Sequence, residues 1–242
     1  MQYRYETTRR TYEDLASGRV LYNAPGLCGF PVRLASEVLM RCFAILEKHN
    51  NKDPYIIYDP CCGGGYLLTI LGFLYGKKLK NIYASDSDLN VLTMAKKNLS
   101  LLQIEGLNKR INELNILVQN YNKPAHIEAL KSSINLLNII MERKNFIDIN
   151  CFENDITNSS TKIFTADIIT IDLPYGQLTN WQSNRPDIIQ LFFSNIIKYL
   201  KPHSSVLAII ADKNQKLIPV GLKKIEKFKL GKRQIIIFQL IS

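Results

Sequence analysis

Short β-branched runs that alternate with stretches of helix length constrain this chain more than any other feature. The runs are YIIYD (55–59), NIYASD (81–86), FIDINCF (146–152), DIITID (167–172) and SVLAIIAD (205–212). Apolar residues recur at helical spacing over 31–49, 66–76, 88–102 and 187–200. A strand that returns through a helix lies parallel to its predecessor, so the pattern implies βαβ units and a doubly wound sheet. The end of the chain differs. LKKIEKFKL (222–230), then GKR, then QIIIFQLI (234–241) reads as an antiparallel hairpin with Gly231 in its turn. The expected class is α/β, a mostly parallel sheet closed by an antiparallel pair.

One spacing is out of proportion. About sixty residues separate NIYASD from FIDINCF, where a single crossover helix needs about a third of that. The excess, about 105–144, keeps helical periodicity and is broken at Pro124, which can open a second helix. The chain therefore reads as one domain, 1–242, with a helical amino-terminal extension (1–50) and a two-helix insertion. The insertion carries Lys109, Arg110, Lys123, Lys131, Arg143 and Lys144.

With 46% apolar residues the chain can bury a sizeable core, which excludes a disordered protein. Thirty-one Lys and Arg against 21 Asp and Glu give +10, a balance that suits a polyanionic partner. MQYRYETTRR has no apolar segment of secretory type, and the longest apolar run, 66–75, is too short to span a bilayer. Five cysteines, an odd number, suit a reducing cytoplasm. The three His are scattered and no Cys-x-x-Cys pair occurs, so no metal site is expected.

DPCCGGG (59–65) lies between a strand and a helix. Glycines there let backbone approach a ligand, and the helix start presents free N–H groups. The spacing is not that of a dinucleotide fingerprint. Asp59 would repel a pyrophosphate but suits a cationic amino acid. Asp86 ends the next strand, where a carboxylate accepts both hydroxyls of a ribose. An amino group and a ribose held together suggest S-adenosylmethionine. Gly63 and Gly65 would cradle it, with Cys61 and Cys62 as small neighbours rather than catalytic thiols. Asp155 of FENDIT, read as ending the third strand, faces the adenine amine in this reading. Its alternative is a turn or helix cap.

DIITIDLPYG (167–176) carries a strand into a carboxylate, a proline and an aromatic. DLPYG resembles the Asn/Asp-Pro-Pro-Tyr motif of methyltransferases acting on planar nitrogens, with Leu173 at the first Pro. Such a nitrogen shares its lone pair with the ring, so catalysis must take up an N–H proton and align the nitrogen. Asp172 can accept that proton, Pro174 stiffens the turn, and Tyr175 offers a stacking face.

The segments GFPVRLASEVL (29–39), DPCCGGGYLLT (59–69), ASDSD (84–88) and DLPYGQLTNW (172–181) together resemble the AviRa family of avilamycin-resistance methyltransferases. The resemblance implies a class I methyltransferase (Rossmann-like) fold with a helical insertion. It also implies S-adenosylmethionine as cofactor, a guanine of large-subunit (23S) ribosomal RNA as substrate, and a role in resistance to orthosomycin-type antibiotics. Carried over by position, Asp59, Gly63 and Gly65 would hold the methionine part, Asp86 the ribose and Asp155 the adenine side. Asp172, Pro174 and Tyr175 would form the base pocket. The remaining RNA candidates are Trp181 with Arg185 in QLTNWQSNRPD, Arg33 at the start of the first helix, and Lys213 with Lys216 in DKNQK. Arg33 could equally reach the cofactor carboxylate or form a structural ion pair. Two alternatives stay open at this level. One is another planar-nitrogen acceptor, a DNA adenine or a protein glutamine. The other is an RNA-binding assembly factor without turnover.

Overall fold

The β-branched runs pair as their pattern requires. In the computed structural model, which describes residues 3–25, 29–158, 164–173 and 187–241, seven strands form one sheet. They are β1 (Tyr55–Asp59), β2 (Leu79–Asp86), β3 (Asp148–Glu153), β4 (Ile168–Asp172), β5 (Val206–Asp212), β6 (Leu222–Leu230) and β7 (Arg233–Leu240). Their order is β3-β2-β1-β4-β5-β7-β6. The first five are parallel, and β7 is antiparallel to both β5 and β6. The order reverses between β1 and β4, which opens a crevice at their carboxyl ends.

Both faces are covered. Helices α1 (Val32–Lys48), α2 (Tyr66–Tyr75) and α3 (Leu89–Ser100) bury Leu39, Leu68, Ile70 and Leu92 against Ile57, Ile82 and Ile168 on one face. On the other, α6 (Ile188–Ile196) packs Phe192 and Ile196 with Tyr58, Ile169 and Ile209. Asp88 caps α3 by accepting from the Asn90 N–H at 2.8 Å. No helix of the described residues is long and apolar enough to cross a membrane.

The sixty-residue gap holds α4 (Ile104–Tyr121) and α5 (Pro124–Met141). Pro124 sits at the first turn of α5, where its missing N–H has no intrahelical partner to lose. Among the described residues of 1–50, only Val32–Lys48 is α-helical. The described residues before it form an irregular arm with one 3-10 turn, Glu13–Leu15, because RYETTRRTYEDL has no helical apolar stripe. The arm is nevertheless anchored. Glu37 on α1, fully buried, accepts from the N–H groups of Arg4, Tyr5 and Glu6 at 2.8–2.9 Å. It also pairs with Arg41 at 2.5 Å.

Candidate active site

Strand register brings three carboxylates together. Asp59 lies opposite Ala84 of β2, and Asp86 stands two residues further along that strand. On the other side Tyr58 lies opposite Ile169, so Asp172 also stands two residues beyond the level of Asp59. Residues opposite one another, or two apart on a strand, point to one face. Asp59, Asp86 and Asp172 thus leave the sheet on the α1–α3 face, at the crevice where strand order reverses. Burial pushes the Asp59 carboxyl well above its usual range, and the charges of Asp86 and Asp172 push it further. Burial also raises Asp86, against the hydrogen bonds it accepts. Three crowded carboxylates are a site that favours a cation. Among the described residues no group of three or more His, Cys, Asp or Glu is placed to hold a metal ion.

The glycine turn wraps this cluster. Gly63 has φ of +52° and Gly65 of +74°, both in the left-handed region that L side chains resist. Their surroundings differ. A Cβ on Gly65 would meet the Ala95 backbone at 3.0 Å, whereas one on Gly63 would meet nothing within 4 Å. Gly65 therefore seats the turn on α3, and Gly63 faces open space beside the carboxylates. Asp86 accepts from Gly63 N–H at 2.9 Å and from Asp88 N–H at 3.1 Å. Asp59 accepts from Cys61 N–H at 3.1 Å. A left-handed glycine cradle over buried acids fits a small ligand carrying positive charge, as the sulfonium and ammonium of S-adenosylmethionine do. Burial, followed by the neighbouring carboxylates, raises the Cys61 thiol. A hydrogen bond with Cys151, followed by burial, raises Cys62. Both thiols are held protonated.

Other expected site residues are placed differently. β3 ends at Glu153, not at Asp155. The Asp155 carboxylate accepts from Thr157 N–H and hydroxyl at 2.9 and 2.7 Å and from Asn158 at 2.8 Å. It closes a local turn, and its charge is among those that raise the Cys61 thiol. Arg33, expected at a phosphate or the cofactor carboxylate or in a structural ion pair, donates to the Glu6 carbonyl at 2.5 and 3.1 Å and lies 4.0 Å from the Tyr3 ring centre. The amino-terminal arm takes it up. Arg110 and Arg143 of the insertion are likewise turned inward, to the Val20 and Leu102 carbonyls at 2.9 Å. Lys213 and Lys216 are exposed. Leu173 is buried and donates to the Ile210 carbonyl at 2.9 Å. Pro174, Tyr175, Trp181 and Arg185 lie outside the described residues.

Sequence reasoning missed Asn98. It is fully buried on α3, donates to the Gly64 and Tyr22 carbonyls at 2.8 and 3.1 Å, and accepts from Tyr22 N–H at 2.8 Å. Tyr66 donates to the same Tyr22 carbonyl at 2.6 Å. The glycine turn is thus bolted to residues 22–23 of the arm. An Asn inside an apolar helical stripe was the available signal. Asn98→Leu should cost about 2–4 kcal/mol of stability, since it strands buried backbone groups on both partners, and should weaken donor binding by loosening Gly64. Urea unfolding and donor calorimetry check this; unchanged values in both would remove Asn98 from the support of the turn.

Known proteins resemble this chain in sequence and fold. Residues 1–233 match the rRNA methyltransferase AviRa family. The chain is 32% identical over 240 residues to a 23S rRNA (guanine(2535)-N(1))-methyltransferase of Streptomyces viridochromogenes, spanning 97% of this chain and 94% of that one. It superposes on the solved rRNA methyltransferase AviRa of the same organism with a TM-score of 0.87 at 31% identity, covering 99% and 96% of the two chains. TrmN from Thermus thermophilus shares the fold at a TM-score of 0.51 and 14% identity, over 88% of this chain and 49% of that one.

Proposed function

The chain belongs to the AviRa family of rRNA methyltransferases, and on that footing we propose that it methylates the N1 ring nitrogen of a guanine in 23S ribosomal RNA. The observation that carries this reading is the trio of carboxylates, Asp59, Asp86 and Asp172, on one face of the sheet beside the open Gly63. Family membership implies S-adenosylmethionine, which when bound supplies an electrophilic methyl group on a sulfonium. In this reading Asp59 takes the donor's ammonium, which would draw its raised carboxyl into the ionised form. Asp86 takes the ribose hydroxyls in the same reading, with its backbone partners fixing its orientation. Asp172, at the end of β4, accepts the N1 proton of the guanine as that nitrogen becomes nucleophilic. Pro174 and Tyr175 follow it in sequence and complete the base pocket in this reading. A reducing cytoplasm, where ribosomal RNA resides, is the matching compartment.

Asp86→Ala should weaken donor binding by about 1–3 kcal/mol, the range for losing a charge-assisted hydrogen bond. Calorimetry that returned the wild-type affinity from a folded variant would take Asp86 out of the site. The proposal itself is tested with labelled S-adenosylmethionine and three acceptors in parallel: 23S rRNA, double-stranded DNA and a protein mixture. Label is expected in the rRNA. Label in DNA or protein alone would move the activity to another planar nitrogen, and none in any acceptor would leave a binding protein.

A further inference from the structure

The chain's positive charge is not spread evenly. From 213 to 233 there are eight Lys or Arg and one Glu, so this stretch supplies seven of the ten net charges. The insertion, 105–144, has six Lys or Arg against four Glu, and its Arg110 and Arg143 are committed to backbone carbonyls. The single acid of the 213–233 stretch, Glu226, turns inward to Arg41. Its lysines do not: Lys213, Lys216, Lys223, Lys224, Lys227 and Lys232 are all exposed.

Topology puts these lysines on one strand edge and the link that leads into it, with Lys223 on the opposite face of the strand from Leu222. β6 is the outermost strand on the hairpin side of the sheet. Phe228 points into the α1 face, so Lys227 and its i+2 neighbour Lys229 point to the α6 face. The link from β5 to β6 crosses that same α6 face, because Leu217 packs into its core. It is pinned at both ends, Lys213 N–H donating to the Lys232 carbonyl at 2.9 Å and Ile241 N–H to the Gly221 carbonyl at 3.0 Å. The nine residues of β6 span about 30 Å. Leu230 pairs with Arg233, and Arg233 also pairs with Asp212 at the carboxyl end of β5. The strip therefore rises to the edge of the sheet that carries Asp172. It arrives three strand spacings away, about 14 Å.

We propose that the β5–β6 link and the β6–β7 hairpin form the track that holds ribosomal RNA phosphates and leads the strand to the catalytic edge. The inserted helices take no such part. This rests on the reading of the chain as an rRNA methyltransferase and adds where its substrate lies. The chemistry is charge complementarity: cations spaced along an extended strand neutralise successive phosphates and release counterions. Lysines on an edge strand also discourage strand pairing between molecules, and the test separates the two roles.

The experiment uses the full chain and an rRNA fragment that the wild type methylates. Three variants are compared: Lys223→Gln with Lys224→Gln and Lys227→Gln; the same three positions changed to Arg; and Lys109→Gln with Lys123→Gln and Lys131→Gln in the insertion. The β6 Gln variant should bind RNA roughly tenfold or more weakly, and the slope of log affinity against log salt should shrink by about two to three. Its transfer rate at saturating RNA and its donor affinity should stay at the wild-type level. The Arg variant should restore binding, and the insertion variant should bind as wild type. Should the β6 Gln variant self-associate, Lys213→Gln with Lys216→Gln probes the same track from the link, away from the edge. Unchanged affinity and slope in the β6 or link variant, with methylation intact in the wild type, would overturn the track alone. A wild type that methylates no rRNA would overturn the function and the track together.

Discussion

Asp172→Asn should slow methyl transfer by about 10²–10⁴-fold, the usual contribution of a general base, with donor affinity and melting unchanged. Asn has the same size, so the end of β4 and its pairing with Ile210 should persist. What goes is negative charge and basicity. Both matter most as the guanine N1 proton departs and positive charge leaves the donor, so the loss falls on the transition state and not on ground-state binding. The Asn-Pro-Pro-Tyr motif that DLPYG resembles supplies the contrast, since an Asn there has no basicity and can only orient an exocyclic amine. A guanine amino group would therefore tolerate the change with a loss of about tenfold or less. Single-turnover transfer at saturating donor distinguishes the two. A variant as fast as the wild type would leave Asp172 a positioning group.

The largest effect on stability is expected at Glu37. Its carboxylate takes three backbone N–H groups of the arm and the Arg41 guanidinium while fully buried. Glu37→Ala strands all of them and should cost about 3–5 kcal/mol, as removing one partner of a buried ion pair does. That is a large share of the stability of an ordinary domain. Burial alone would raise this carboxyl, but the N–H groups of Glu6, Arg4 and Tyr5 and the Arg41 side chain outweigh it. The group ends below its ordinary value of 4.5. Stability contributed by a lowered carboxyl is complete above that ordinary value and is lost as pH falls through the lower, folded one. Wild type should accordingly weaken in that acid window more than Glu37→Ala does. Urea unfolding at pH 7 and at pH 3 checks both the size and the slope. A loss under 1 kcal/mol at neutral pH would mean that the arm is not held through Glu37.

Periodicity made the sheet legible. YIIYD became β1 without change, and the oversized gap after NIYASD became two helices split at Pro124, because alternation and helical spacing are local signals. Strand ends were less secure. FIDINCF was read from its apolar Phe146, yet β3 begins at Asp148 and Phe146 is 74% exposed. Hydrophobicity marks a residue type that is usually buried, not where ladder hydrogen bonds start. The acids at strand ends were legible for the same reason the strands were, since each closes an apolar run. Asp155 was legible only as one of two readings, a strand end or a turn, and its short-range partners Thr157 and Asn158 make it the turn. Glu37, Asn98 and Arg33 were opaque in a different way. Each acts on residues 27 to 76 positions away, and no local pattern encodes a partner at that distance. All three tie down the amino-terminal arm, whose own composition gave no element to place.

The central claim is chemical and meets its most direct test in the product. 23S rRNA incubated with the protein and S-adenosylmethionine is digested to nucleosides, and the methylated nucleoside is identified by chromatography and mass. The expected product is 1-methylguanosine, from one position of the rRNA. A guanosine methylated on its exocyclic amine, a methylated adenosine, or rRNA without any new methyl group would contradict the account.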